Sequence, residues 1–515
     1  MLYDKTPQYP HFAHLPFAKE PFKAIYVFQR IITTVLLVPI WILANLPRSR
    51  RPRQSWSLRQ IIFVNFTRRI YRVTEVAGVT WGTRNPEEEP GPKELKETVF
   101  EWAPPLKESL RKGVVLDRFG RVPFKPAGCF VWRREARNKN QIPVIGIFFH
   151  GGGYSQLSAH EKSRTSHIPR RLMKNNLFTE IYAVEYRLLQ HAPLPAVIMD
   201  AAAAYSHIVD KYYGSDFASR LTNQPASKPC KIILLGDSSG GNLALALARW
   251  IRDEQVLPTP DGLLLFSPSC DASHAFPSTD SSYIPRPHAS TDYLTDTPEP
   301  RALMQRTFLG FKYRPGGTGW GQWKQYVSPA SPRVLRRWGH IVDLYDGSRL
   351  GDPSPKADSS PVEPPSKMRV WLTPNIAGDQ FDWETTARTD NQNNNSQSPG
   401  DTTNNNDSSA YPPPSSDRTS SAIPEIKQVD FAYPQFHTLF AQFPKTFILI
   451  GDAERLTTEV GNLARAMGKD WSVQVRWIPD AVHDVFMIPP GWWDERIKSE
   501  VWEDVKVWMR GFHEQ

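Results

Sequence analysis

Residues 231–250 read KIILLGDSSGGNLALALARW. After Lys231 comes a short unbroken apolar run, and from Asn242 onward Ala and Leu dominate, so a buried strand is expected to pass directly into a helix. The turn between them is Gly236-Asp237-Ser238-Ser239-Gly240, the G-x-S-x-G pattern. In a strand-turn-helix setting this pattern lifts a serine hydroxyl above the sheet. Glycines on both sides of Ser238 let the backbone make so sharp a turn, and the helix N-terminus that follows favours an anion there. Gly-Ser turns between strands and helices are common, and only the flanking strand and helix single this one out.

Outward from this segment the same texture repeats. Short apolar runs occur at IPVIGIFFH (142–150), FTEIYAVEYRL (178–188), GLLLFSP (262–268), KTFILIGD (445–452) and SVQVRWIP (472–479). Strands buried on both faces of a parallel sheet read this way. Helix-like stretches such as 194–213 and 242–255 separate them, which predicts an α/β fold with a mostly parallel, doubly wound sheet over residues 140–515. Residues 61–139 are expected to form the N-terminal part of a helical cap, with helical patches at IIFVNFTRRIYRV and PKELKETVFEW. A second cap insertion is expected over 271–340. Residues 350–425, rich in Ser, Pro, Asn, Asp and Thr, cannot bury a core and are expected to be a disordered insertion.

The chain has 515 residues and 40% hydrophobic content, enough for one large domain with additions and too apolar for wholesale disorder. Its formal charge of +9 looks at first like a nucleic-acid signal. Residues 1–59 hold nine Lys/Arg against two acids, so about +7 of that charge lies in the N-terminal segment and no basic face for nucleic acid is implied. Cys129, Cys230 and Cys270 are too few and too scattered for a disulfide framework or a zinc site.

Residues 24–46, AIYVFQRIITTVLLVPIWILANL, form the one strongly apolar stretch. A spanning helix needs about 20 apolar residues, a length reached here only if Arg30 snorkels to the interface. A retained membrane helix, spanning or monotopic, is therefore expected within a 1–60 membrane-association segment; the alternative is a buried cap helix. A cleaved signal peptide fits poorly, because Pro47 and Arg48 follow the apolar run. Arg48, Arg50, Arg51, Arg53 and Arg59 suit anionic headgroups and, if the helix spans, predict a cytoplasmic C-terminal side. The glycosylation sequons at Asn65, Asn394 and Asn406 would instead matter in a lumen.

Acyl transfer at neutral pH needs a nucleophile, a base, an acid to orient the base, and donors for the developing oxyanion. Ser238 is the candidate nucleophile. Phe148-Phe149-His150-Gly151-Gly152-Gly153 follows a buried strand 88 residues earlier, and its glycines, with the backbone N–H of Ser239, make a candidate oxyanion hole. His150 is read as structural. His483, beyond the last apolar strand, is the candidate base; His437 and His513 lack that setting. Asp452 and Glu454 both lie beyond the preceding strand, and either could orient the imidazole, whereas Asp484 is read as too close in sequence to reach its neighbour's ring.

Together these residues resemble the hormone-sensitive-lipase-like branch of the α/β-hydrolase fold. His150–Gly153 match its HGGG, Glu185-Tyr186-Arg187-Leu188 its DYRL with Glu for Asp, and Gly236–Gly241 its GDSAGG with Ser239 for Ala. The resemblance implies that the acid stands two residues before a leucine after the penultimate strand, which selects Glu454, two before Leu456. The apolar segment, the arginines and the Asn/Ser-rich insertion are similar to a fungal membrane-associated branch of esterases akin to steryl acetate deacetylases. That similarity implies an endoplasmic-reticulum enzyme acting on lipophilic acetates.

The expected activity is hydrolysis of a lipophilic, short-acyl ester, with Trp320, Trp323 and Tyr326 as candidate walls of the pocket and no metal or organic cofactor required. An amidase or thioesterase could use the same parts. A ligand-binding protein that has fallen catalytically silent and a membrane-tethered scaffold are the readings from other classes.

Overall fold

The computed structural model describes residues 17–79, 81–91, 93–117, 122–134, 142–214, 228–272, 287–288, 290–294, 325–345, 349–350, 438–470 and 472–513. All of the 350–425 insertion after Leu350, most of 271–324, and the candidate wall residues Trp320 and Trp323 lie outside them.

Two helices lead into the domain, α1 (Phe22–Ala44) and α2 (Leu58–Ala77). α2 begins at a capping box, in which the Ser57 hydroxyl and the Gln60 side chain each bond the other's backbone, and it ends at Gly78 in the left-handed region (φ 61°). Then follow β1 (Thr98–Ala103), β2 (Ala127–Arg133), β3 (Val144–Phe149), α3 (His167–Lys174), β4 (Glu180–Glu185), α4 (Ala196–Tyr213), β5 (Lys231–Asp237), α5 (Ser239–Glu254) and β6 (Gly262–Phe266). A two-residue ladder pairs β7 (Val342–Asp343) with β8 (Arg349–Leu350). β9 (Lys445–Gly451), a helix over Thr457–Asp470, β10 (Val473–Ile478) and a helix over Glu495–His513 close the chain.

Eight strands form one sheet in the order β1-β2-β4-β3-β5-β6-β9-β10. β2 pairs antiparallel with both β1 and β4, and every other neighbouring pair is parallel. β5 shows why the central strands carry unbroken apolar runs. Ile232 and Leu234 enter the core under α4 and α5, while Ile233 and Leu235 enter the core on the opposite face, under α3 and the C-terminal helix.

Two expectations are corrected here. The sequence reading places 61–139 in the cap and PKELKETVFEW in a helix, yet β1 is an edge strand of the main sheet and β2 its inner neighbour. Their alternation was broken by Glu101 and Trp102, which lie on the partly exposed β1. Tyr326 does not line a cap: it is buried in the core, where its hydroxyl donates to Asp253 Oδ2 at 3.0 Å. Of the 61–139 region, α2 is helical, and Arg68 and Tyr71 join it to Asp292 and Tyr293.

Candidate active site

Ser238 sits where β5 turns into α5, with φ 50° and ψ −118°. A non-glycine residue pays for such a backbone, and surrounding bonds hold it. The Ser238 N–H donates to the Phe266 carbonyl at 2.9 Å, and Ser269 N–H donates to the Ser238 carbonyl at 2.9 Å. Gly240 is required as glycine, because a Cβ there would stand 1.9 Å from the Phe149 carbonyl oxygen. That contact packs α5 against the end of β3, so the nucleophile turn and the His150 loop are fixed together.

The three residues chosen as nucleophile, base and acid converge. His483 Nε2 lies 2.8 Å from Ser238 Oγ, and His483 Nδ1 lies 2.9 Å from Glu454 Oε2. All three are buried. Because a carboxylate accepts, Nδ1 carries the hydrogen toward Glu454 and Nε2 faces the serine. Glu454 is itself held: its Oε1 accepts from Ser267 Oγ at 2.9 Å and from the Gly451 N–H. Ser267, on the loop after β6, was not singled out from sequence; nothing in FSP marks it until β6 and β9 are known to be neighbours.

Asp452 is engaged elsewhere. Its Oδ1 accepts from Arg53 Nη1 at 2.7 Å and from Asp480 N–H at 2.8 Å. Asp484, judged unable to reach its neighbour's ring, does reach it: Oδ2 lies 3.1 Å from His483 Nε2. Its own backbone is left-handed (φ 48°), which folds the side chain back. Burial pushes the Glu454 carboxyl up to about 7, with the hydrogen bond from His483 working in the other direction. Burial would depress His483, but Asp484 and Glu454 outweigh it and hold the imidazole well above its ordinary range. Asp237, buried behind the serine, is pushed up by burial and by the Asp484 charge, against the Gly151 N–H that favours its charged form.

In the loop after β3, His150 is fully buried, stacks on Tyr186 at 4.4 Å, and its Nδ1–H donates to the Gly151 carbonyl at 2.8 Å. Burial lowers it to about 4, so it is neutral and positioned as an anchor. Gly151 packs against the nucleophile turn, where a Cβ would stand 2.4 Å from Asp237 Oδ2. Gly152 and Gly153 take left-handed backbones, φ 110° and 62°. The Ser239 hydroxyl accepts from the Tyr154 N–H at 3.2 Å, tying this loop to the nucleophile turn. The serine that replaces alanine in the motif therefore has a use beyond its backbone donor.

Arg187 of the EYRL segment is structural, paired with Asp200 at 2.7 Å with both residues buried. Tyr293 closes one side of the site, its hydroxyl donating to the His483 carbonyl at 2.9 Å. Among the described residues no three His, Cys, Asp or Glu side chains are grouped to hold a metal ion.

Comparison with known proteins agrees with this architecture. Residues 146–311 match a family model described as alpha/beta hydrolase fold. An acetyl-hydrolase of Streptomyces hygroscopicus is 24% identical over 319 residues, 58% of this chain and 87% of that one. A probable carboxylesterase 8 of Arabidopsis thaliana (31% identity, 28% of this chain and 41% of that one) and the human arylacetamide deacetylase-like 2 (31%, 25% and 29%) are matched over less than half their lengths. A hormone-sensitive lipase structure from a metagenome library overlays with a TM-score of 0.42 at 17% identity, covering 75% of this chain and 82% of that one. The chain is thus an α/β-hydrolase-fold enzyme of the carboxylic-ester-hydrolase class. In its motifs and in these relatives it is similar to the hormone-sensitive-lipase-like branch of that fold.

Proposed function

We propose that the protein is a serine esterase that cleaves lipophilic, short-acyl carboxylic esters through an acyl-enzyme. The observation that carries this reading is the continuous buried chain Ser238 Oγ to His483 Nε2 and His483 Nδ1 to Glu454, at 2.8 and 2.9 Å. His483 takes the Ser238 proton as Oγ attacks the ester carbonyl, and Glu454 keeps the imidazole in the tautomer that accepts it. The N–H groups of Gly152, Gly153 and Ser239 receive the oxyanion. His483 then returns the proton to the departing alcohol, and a water activated by the same imidazole hydrolyses the acyl-serine.

A short acyl group is supported by the likeness to proteins named acetyl-hydrolase and deacetylase. Attachment to a membrane through α1 is supported by that helix's apolar length. The test uses the full chain in mild detergent, a fluorophosphonate probe and p-nitrophenyl esters of increasing acyl length. Wild type is expected to label and to turn over the short esters fastest, and Ser238→Ala to do neither while keeping its melting temperature. A folded wild type that neither labels nor hydrolyses any ester overturns the reading.

A further inference from the structure

The apolar helix that suggests a membrane anchor is docked on α2 through its Val27–Thr34 stretch. Arg69 of α2 donates from Nε to Thr34 Oγ1 at 3.0 Å and from Nη2 to Thr33 Oγ1 at 3.1 Å, and Arg30 Nε donates back to the Arg69 carbonyl at 3.5 Å. One turn earlier, Val27 packs with Val73, Ala77 and Val79.

α2 in turn belongs to the catalytic domain. Ile61 and Val64 are buried in the sheet's core, and Arg68 donates to the carbonyls of Ser290 and Asp292 at 3.1 and 3.0 Å. The link between the helices is pinned as well, by Arg53 on Asp452 and by Trp56 Nε1 on the Asp480 carbonyl at 3.0 Å. A helix carrying Arg59, Arg68, Arg69 and Arg72 cannot enter hydrocarbon. The part of α1 that lies beside it, Val27 to Thr34, is therefore held at the level of the domain. What remains, Val35 to Ala44, is about 15 Å of helix at about 1.5 Å per residue. That is half of the roughly 30 Å a spanning segment must cross.

Yet one face of α1 is apolar and exposed from end to end, including the docked half: Phe22, Ile25, Phe28, Leu36, Ile40 and Leu43 are each at least 56% exposed. Exposure along a face rather than at an end is the pattern of a helix lying in a lipid interface. Cationic side chains flank it, with Lys19 exposed before it and Arg48, Arg50 and Arg59 exposed after it. Arg51 and Arg53 are turned inward, Arg51 donating to the Asn45 and Trp56 carbonyls.

Resting on the reading of α1 as a membrane anchor, we propose that it is an in-plane anchor. The Phe22-to-Leu43 face lies in the headgroup–acyl boundary of an anionic bilayer, and both ends of the chain stay on one side. The exposed arginines and Lys19 then meet anionic headgroups, with no part of the helix crossing. The anchor also sits close to the chemistry: Tyr71 of α2 stacks on Tyr293 at 5.5 Å, and Tyr293 bonds the His483 carbonyl. A lipophilic ester dissolved in that interface would lie beside the enzyme's site.

The full chain, tagged at both termini, is tested by flotation on vesicles with and without 30% phosphatidylserine and by tag protection after synthesis with sealed microsomes. The expected result is binding favoured by phosphatidylserine and reduced by salt, with both tags digested on the same side. Phe28→Glu with Leu36→Glu should weaken vesicle binding by at least about tenfold while hydrolysis of a soluble ester stays within about twofold. Binding with the two tags on opposite sides overturns the in-plane geometry and leaves the anchor standing. No binding to either vesicle overturns the anchor itself. A dimer that floats on neither vesicle assigns this face to a second copy of the chain and overturns the proposal.

Discussion

Asp484 Oδ2 and Ser238 Oγ stand 3.1 and 2.8 Å from the same nitrogen, His483 Nε2. The nitrogen that takes the serine proton in the proposed mechanism therefore has a second, charged neighbour. A carboxylate at that distance favours the imidazolium, which helps once the proton has moved but hinders a free enzyme that needs a neutral base. His483 is accordingly held above its ordinary range, and ester turnover should rise with pH as the imidazole loses its proton. Removing the charge lowers the pKa of the imidazole. Asp484→Asn is expected to move the rising limb of the kcat/KM–pH profile to lower pH. A profile unmoved by the substitution would show that Asp484 does not act on the base.

The two carboxylates beyond β9 can be told apart. Glu454 bonds Nδ1 of His483 in full burial, whereas Asp452 pairs with Arg53 at a half-open site. Glu454→Gln leaves the shape but removes the charge and offers the wrong partner to Nδ1–H, a change that lowers kcat by up to about 10⁴-fold where a triad acid is neutralised. Asp452→Asn should leave kcat within about threefold and cost at most about 1 kcal/mol, since an exposed ion pair is worth little. Steady-state kinetics on both variants with one p-nitrophenyl ester checks the contrast, and equal losses would mean that the assignment of the acid is wrong.

The central α/β order was legible because β3, β5, β6 and β9 are buried on both faces along their middles and so carry unbroken apolar runs there. β1 was not: Glu101 and Trp102 sit on an edge that is half solvated, and an edge strand with a mixed pattern reads as a helical patch. Ser238 and His483 stood out by local context. Ser267, Asp484's approach to the imidazole and the Tyr293 contact did not, because each depends on a backbone turn or on strand neighbours far apart in sequence. Glu454 required a family resemblance, since two carboxylates two residues apart look alike until Arg53, 399 residues away from Asp452, is seen to occupy one of them.

Gly152 and Gly153 should respond differently to the same methyl group. A Cβ on Gly152 would meet the Gln156 carbonyl oxygen at 2.3 Å, a backbone atom that cannot step aside, so the loop must shift. A Cβ on Gly153 would find nothing nearer than Ser155 Oγ at 4.0 Å. Gly153→Ala then pays chiefly for its left-handed backbone, about 1–2 kcal/mol. Gly152→Ala is expected to lose about 10²-fold or more in kcat, the scale of one misplaced oxyanion donor. Gly153→Ala is expected to stay within about tenfold. Thermal melts alongside the kinetics separate loss of the loop's position from loss of the fold, and the reverse ranking would remove Gly152 from the hole.

Glu185, which stands where the related motif has aspartate, is buried and accepts the Ala159 N–H at 2.8 Å. Burial raises its carboxyl to about 7, against the opposing pull of Arg84 and of that N–H. The folded pKa lies above the unfolded value near 4.5, so the folded state binds the proton more tightly. Its contribution to stability is fully present below about pH 4.5 and is lost as pH rises through about 7. The difference of about 2.5 units is on the order of 3 kcal/mol. Glu185→Gln carries no such titration. Its melting temperature should exceed that of wild type by several degrees at pH 8, and the gap should shrink toward pH 5. Melting curves of both proteins in matched buffers across that range decide it: a gap that does not depend on pH would mean that Glu185 is not held protonated by the fold.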